Sequence, residues 1–369
     1  MRGLVESLIG AAHDERVTAP SAPVRSSKRL LFRVAVIVAS VVAAIVGSVL
    51  LAMHRSSEKV KGRTGSALAP ALPPGGKVVA RIRIGRSSVQ LGLLAGGALA
   101  VGEGAVWAMN DAKSTLMRID PARNAVVARI KVGTPEEAAA GDGAVWLSKR
   151  YENTVTRVDP ATNTVTATIP VGSHPEGIAV SPGAVWVVNA GGPSVSRIDP
   201  ATNRVVATIR VGPKSDCCAE HTNVIASPRA VWVALTNGNS IVHIDPVTNG
   251  VVATTRIGYR PCGFLAADET GVWWTGGHCG GDVVGRVDSR TNRLTNNLAE
   301  PDPVGIQVAF GSVWVANEGS GNVDQIDPHT GRIVARLHIV GLPVRVGIGF
   351  RSVWVNEDYG HVLRIKPQR

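Results

Sequence analysis

The sequence predicts an all-β fold, a seven-bladed β-propeller whose N-terminal strand closes the last blade, preceded by one transmembrane helix. Three observations predict it. A Val-Trp pair recurs at Trp107, Trp146, Trp186, Trp232, Trp273, Trp314 and Trp354, at spacings of 39, 40, 46, 41, 41 and 40 residues. An Asp-Pro turn follows at Asp120, Asp159, Asp199, Asp245 and Asp327, with Asp288-Ser289 as a variant and Lys366-Pro367 in the final copy. The chain then stops one strand short, while a strand of the same type, Lys77 to Gly85, stands alone ahead of the first Trp.

A period near 40 residues that contains several short apolar runs and turn residues fits a four-stranded blade rather than a pair of helices. The unit from Glu176 to Gly212 shows the pattern. "GIAV" is a short buried strand, Ser181-Pro182-Gly183 turns the chain, and "AVWVVN" returns with Val185 and Val187 on one side and Trp186 on the other. "SVSRID" is the third strand. In Asp199-Pro200-Ala201-Thr202-Asn203 the Asp can bond backbone ahead of it, Pro presets φ and Asn tolerates a left-handed backbone. "RVVATIRVG" is the outermost strand.

The last copy ends after its third strand, "HVLRIKP". Lys77 to Gly85 supplies the missing fourth, because a ring closed by a strand from the other terminus leaves no bare edge. The repeated Trp are expected to pack between blades.

Upstream, residues 34–53 are twenty consecutive uncharged residues, about the length that crosses roughly 30 Å of hydrocarbon. The run is long for a cleaved signal and is followed by Met53-His54-Arg55, so an uncleaved anchor is expected. Six Lys/Arg precede the span and four follow it before the body, which tilts residues 1–33 towards the cytoplasm and the body towards the outside. Residues 54–76 are rich in Pro, Gly and Ala and read as a tether, and residues 77–369 as the propeller, a monomeric body. The predicted location is a single-pass cell-membrane protein with an extracytoplasmic propeller.

The net charge of +11 divides into +6 for residues 1–76 (ten Lys/Arg, four Asp/Glu) and +5 for residues 77–369 (29 against 24). Half of the basicity is a membrane flank. A weak excess without basic runs argues against a nucleic-acid surface.

The blades "VWVVNAGGPSVSRIDPATNRVVATIRVG" and "VWVANEGSGNVDQIDPHTGRIVARL" resemble the YVTN-repeat β-propellers of bacterial surface and periplasmic proteins, and more loosely the streptogramin (virginiamycin B) lyase propellers. The first resemblance implies a binding or scaffolding module. The second implies an enzyme that eliminates across an ester in a cyclic peptide antibiotic with a His base and Mg. No Glu-x-His pair of the kind sought for that lyase occurs, so no catalytic residue is carried over and no cofactor is expected outside the lyase reading.

Propellers commonly bind where loops converge on the central channel. On the face that holds the ends of the Trp strands, His174, Glu176, His221, His278 and Glu318 are the candidate ligand-binding residues, and Trp274, on the opposite side of its strand from Trp273, is a candidate stacking surface. An unidentified ligand or protein at this mouth is the expected partner. Gly-x-Ser-x-Gly, His-Glu-x-x-His and phosphate-cradling loops are absent from the sequence.

Cys217, Cys218, Cys262 and Cys279 lie outside the repeat, and the first two sit in the insertion that stretches one spacing to 46. An exported body favours disulfides, and a ring between adjacent cysteines is strained. Cys217 and Cys218 are each expected to bond one of Cys262 and Cys279; a metal site built with His221 and His278 is the alternative.

Overall fold

A computed structural model describes residues 75–85, 97–212, 222–277 and 281–368. These belong to a compact unit, Leu72–Arg369. The apolar run 34–53 lies outside the described residues, and no helix among the described residues is long and apolar enough to cross a membrane.

The described residues form seven four-stranded antiparallel sheets. Blade three follows the expected unit closely: Pro175–Ser181, Ala184–Asn189, Ser194–Asp199 and Arg204–Arg210, ordered from the centre outwards. Its second strand is buried along its whole length because blades cover it on both faces. The outer strand alternates exposed and half-buried residues because one of its edges meets solvent.

Closure occurs as the repeat count requires. Gly76–Arg83 pairs antiparallel with His361–Pro367, from Gly76 opposite Pro367 to Arg83 opposite His361. The outer strands of blades one, three and four carry a bulge at one shared position, which turns out Val127, Val206 and Val252. The closing strand has its bulge at the same place, at Val79. It is therefore the same structural element as the other outer strands, moved to the start of the chain. The closing sheet runs from base to mouth, so the chain enters the ring at the base of blade seven.

The repeated Trp residues are 0–2% exposed. Arg118, Arg157, Arg197, Arg286 and Arg364 lie 5.1 to 5.6 Å from the Trp rings of their own blades, and His243 stacks on Trp232 at 4.1 Å. Most of these groups then reach across a seam. Arg118 donates to Pro160 O and Asn163 Oδ1, Arg157 to Pro200 O and Asn203 Oδ1, and Arg197 to Pro246 O and Asn249 Oδ1, at 2.6 to 3.0 Å. The Asp-Pro turn is thus a receptor for the preceding blade. Its Asp caps the turn (Ala161 N to Asp159 Oδ1, 2.7 Å), and its Asn, at φ 51 to 58, offers a side-chain oxygen to the neighbour.

Candidate functional site

The mouth is the face where outer strands return to inner strands. Aligning the blades by the partners of their second strands places one residue of each blade at the same level of the channel: Ala98, Glu137, Gly177, Asn223, Phe264, Gly305 and Arg345. Three of these are small and four carry functional groups. A small recess opens here, lined by Glu136, Glu137, Glu176, Thr222, Asn223, Phe264 and Arg345 among others. A second, roomier space continues down the channel, and Glu137, Asn223, Phe264 and Arg345 line both.

Two ion pairs hold this throat. Arg345, 5% exposed, reaches Glu137 Oε2 at 3.2 Å from Nη2, and its guanidinium carbon lies 3.8 Å from the centre of the Phe264 ring. Its Nε and Nη1 are buried without a hydrogen-bond acceptor. Arg150 lies 2.6 Å from Glu176 Oε1, while the backbone N–H and hydroxyl of Thr222 donate to Oε2 at 2.7 and 2.8 Å. Ser148 ties the two pairs together: it accepts from the Glu137 backbone at 3.1 Å and donates to Glu176 O at 2.5 Å.

Burial raises the carboxyls of this face. It pushes Glu137 up against the pull of Arg345, and Glu176 up to about 7 against the Thr222 hydrogen bonds and Arg150. Glu318 rises to about 7, first by burial and then by the negative charges of Asp358 and Asp302, with Arg345 opposing. Asp358 rises to about 6 by burial and the nearby Glu357. Carboxyls held above their ordinary range by burial, around a permanent cation, make this an electrostatically tuned surface.

The expected site residues separate. Glu176 lines the recess, and Glu318 stands within electrostatic reach of Arg345. His174 occupies a left-handed turn, φ 51, with its Nδ1 3.0 Å from Ser173 Oγ, and does not line either cavity. Trp274 is fully buried with Trp232 and Val283 in a core cluster, its ring 6.1 Å from Tyr259, so it packs the seam between blades four and five and offers no stacking face to the channel. His221, His278, Cys217, Cys218 and Cys279 lie outside the described residues; Cys262 is buried and lines the recess. Among the described residues no three His, Cys, Asp or Glu side chains stand together to hold a metal ion.

Glu137, Arg345, Phe264, Thr222 and Arg150 complete the site without standing out in the sequence. The signal for three of them is the register: at the position of Gly177 and Gly305, other blades carry Glu137, Phe264 and Arg345.

Known structures share this architecture. The chain is similar to a virginiamycin B lyase from Staphylococcus aureus (14% identity, 78% of this chain and 99% of that one, TM-score 0.62). It is also similar to BamB from Moraxella catarrhalis (15%, 79% and 98%, TM-score 0.56) and to the Pan2 WD40 domain of Neurospora crassa (11%, 80% and 98%, TM-score 0.62). The likeness is one of fold. No family model and no curated protein sequence matches the chain.

Proposed function

We propose that the chain is a membrane-anchored, extracytoplasmic binding module that takes a ligand or a protein segment at the mouth of the propeller. Arg345 carries this reading. Burying a guanidinium costs several kcal/mol before pairing, on the order of the penalty for any buried ion, and an apolar replacement serves stability as well or better. Here two of its nitrogens are buried without an acceptor, and the residue lines the recess. A carbonyl or carboxylate entering from the mouth would satisfy them. The anchor, residues 34–53, and the pairing of Cys217 and Cys218 with Cys262 and Cys279 belong to the same proposal, which is supported by the apolar run and by four cysteines that all lie outside the repeat.

Site-directed photocrosslinking in cells tests it. Tyr151, 79% exposed on the mouth, and Val247, 82% exposed at the base, are replaced one at a time by a photoreactive phenylalanine. Adducts formed from position 151, absent from position 247 and lost on Arg345→Met, support the reading. Adducts that survive Arg345→Met defeat it.

A second reading, a lyase-type enzyme, draws on the fold likeness and on Glu176, whose carboxyl is raised to about 7 beside the recess. The described residues do not gather a magnesium site. Linearisation of a streptogramin B compound by the purified chain would favour this reading over a purely binding role. Nucleic-acid binding is suggested by the basic charge and the YVTN resemblance, and steeply salt-dependent DNA binding would decide for it.

A further inference from the structure

At the base of the ring, each inner strand turns into the Trp strand. In blades one and two, the first residue of that turn in a left-handed conformation is acidic, Glu103 at φ 50 and Asp142 at φ 49. Each serves the ring: Glu103 Oε1 accepts from Gly143 N at 3.1 Å and Asp142 Oδ2 from Gly183 N at 2.8 Å, stitching each turn to the next. In blades six and seven the same position is aromatic. Phe310 sits at φ 54 and is 49% exposed; Phe350 sits at φ 53, is 38% exposed and is followed by Arg351 at φ 52.

A left-handed backbone favours Gly, Asn and Asp, and a bulky residue there is strained. These two Phe residues neither fill a core nor make the bond that the acids make. Strain and exposed apolar surface are held together on two neighbouring blades, which points to something outside the ring.

Two further observations identify the occupant. The chain enters the fold here: Gly76 pairs with Pro367 at the base of blade seven, and a Cβ on Gly75 would meet Gln325 of blade six. The tether 54–76 that leads to this point follows the apolar run 34–53. Charge agrees as well, because Lys77, Arg332, Arg351 and Lys366 are exposed at the base ends of blades six and seven.

We propose that the base of blades six and seven lies against an anionic phospholipid surface, with Phe310 and Phe350 inserted at headgroup level and the four basic side chains on the phosphates. The mouth then faces away from the bilayer. This inference rests on the anchored reading above, and its test is separate from that reading.

Residues 72–369, whose sheets are complete without anything upstream, are mixed with vesicles of phosphatidylcholine alone or with 30%, roughly the anionic fraction that gives a strong surface potential, of phosphatidylglycerol. Sedimentation is measured for the wild type and for the pair Phe310→Asn and Phe350→Asn. Asn accepts the left-handed backbone, so the pair keeps the fold, as unfolding curves will verify. The expected result is binding to the phosphatidylglycerol vesicles that falls about tenfold in the pair and weakens in Arg351→Ser with Lys366→Ser. Equal binding by the pair, absence of binding by the wild type, or a dimer abolished by the pair in place of vesicle binding would overturn the proposal. Carbonate extraction of the full chain from membranes reads the anchor independently: release would sink the anchor and leave the vesicle result to judge the base.

Discussion

Arg364 in the last blade donates to the side-chain oxygen of Asn124 in the first at 3.0 Å and to Pro121 O at 2.5 Å. The contact repeats, across the point where the two ends of the chain meet, the latch that joins blades one to two, two to three and three to four. Closure therefore has two parts, a shared sheet and a shared seam. The latch lapses where its parts are missing: blade six has Gln325 in place of Arg, bonded to Ser312 of its own blade, and Arg286 of blade five reaches Thr270 at 2.6 Å. Blade six also offers Gly331, not Asn, in its turn.

Ile82 in the closing strand is buried with Leu99, Met117 and Val362, residues of the first and last blades. Ile82→Ala should cost about 2 to 4 kcal/mol, the range for a large-to-small change in a packed core, in urea unfolding. Deletion of residues 76–83 should abolish the cooperative transition, since it bares the edge of the last blade together with this core.

The latch itself is open to a double-mutant cycle. Arg157→Ala should cost about 2 kcal/mol, from a charged hydrogen bond and the contact with Trp146. Asn203→Gly keeps the left-handed backbone and loses only the side-chain oxygen, so it should cost about 1 kcal/mol. A coupling energy above roughly 0.5 kcal/mol is expected, and additivity would mean that the two groups do not communicate.

Stability should rise as pH falls from 8 to 5. The folded carboxyl of Glu176 is raised from 4.5 to about 7, so folding favours the protonated form. The contribution is fully present below the unfolded value and is lost as pH climbs through about 7. Glu176→Gln should remove about 1 to 3 kcal/mol of this slope at most. Below pH 4 the direction reverses. Asp120, Asp159, Asp199, Asp245 and Asp327 are held below 3.8 chiefly by backbone hydrogen bonds within their turns, and their contribution disappears as they protonate. Unfolding curves between pH 3 and 9 read both limbs.

The four cysteines should titrate as no thiols in unfolded protein without reductant and as four with it. Free thiols accompanied by bound zinc would instead support a metal site around the same insertion.

The blades were legible because each repeats a local rule: alternation in the strands, Trp in the second strand, and Asp-Pro-x-x-Asn at the outer turn. Closure was legible because a missing fourth strand and an orphan strand of the same type are both visible in one dimension. The throat was less so. Arg345 reads as an ordinary rim residue until strand pairing shows that it occupies the slot of Gly177 and Gly305. Trp274 misled because side-chain alternation says which way a residue points and not what stands there. It points at blade four, where Trp232 and Tyr259 meet it. His174 looked convergent by position, yet its turn directs it to Ser173.

The claim that the throat exists to bind, and not to hold the ring together, is tested most directly by the stability of the double variant Glu137→Met with Arg345→Met. Each single change strands one buried charge and should cost about 3 kcal/mol. The account predicts that the double variant unfolds at or above the wild-type urea midpoint. A double variant destabilised by the sum of the two singles would contradict it, because the pair would then be structural.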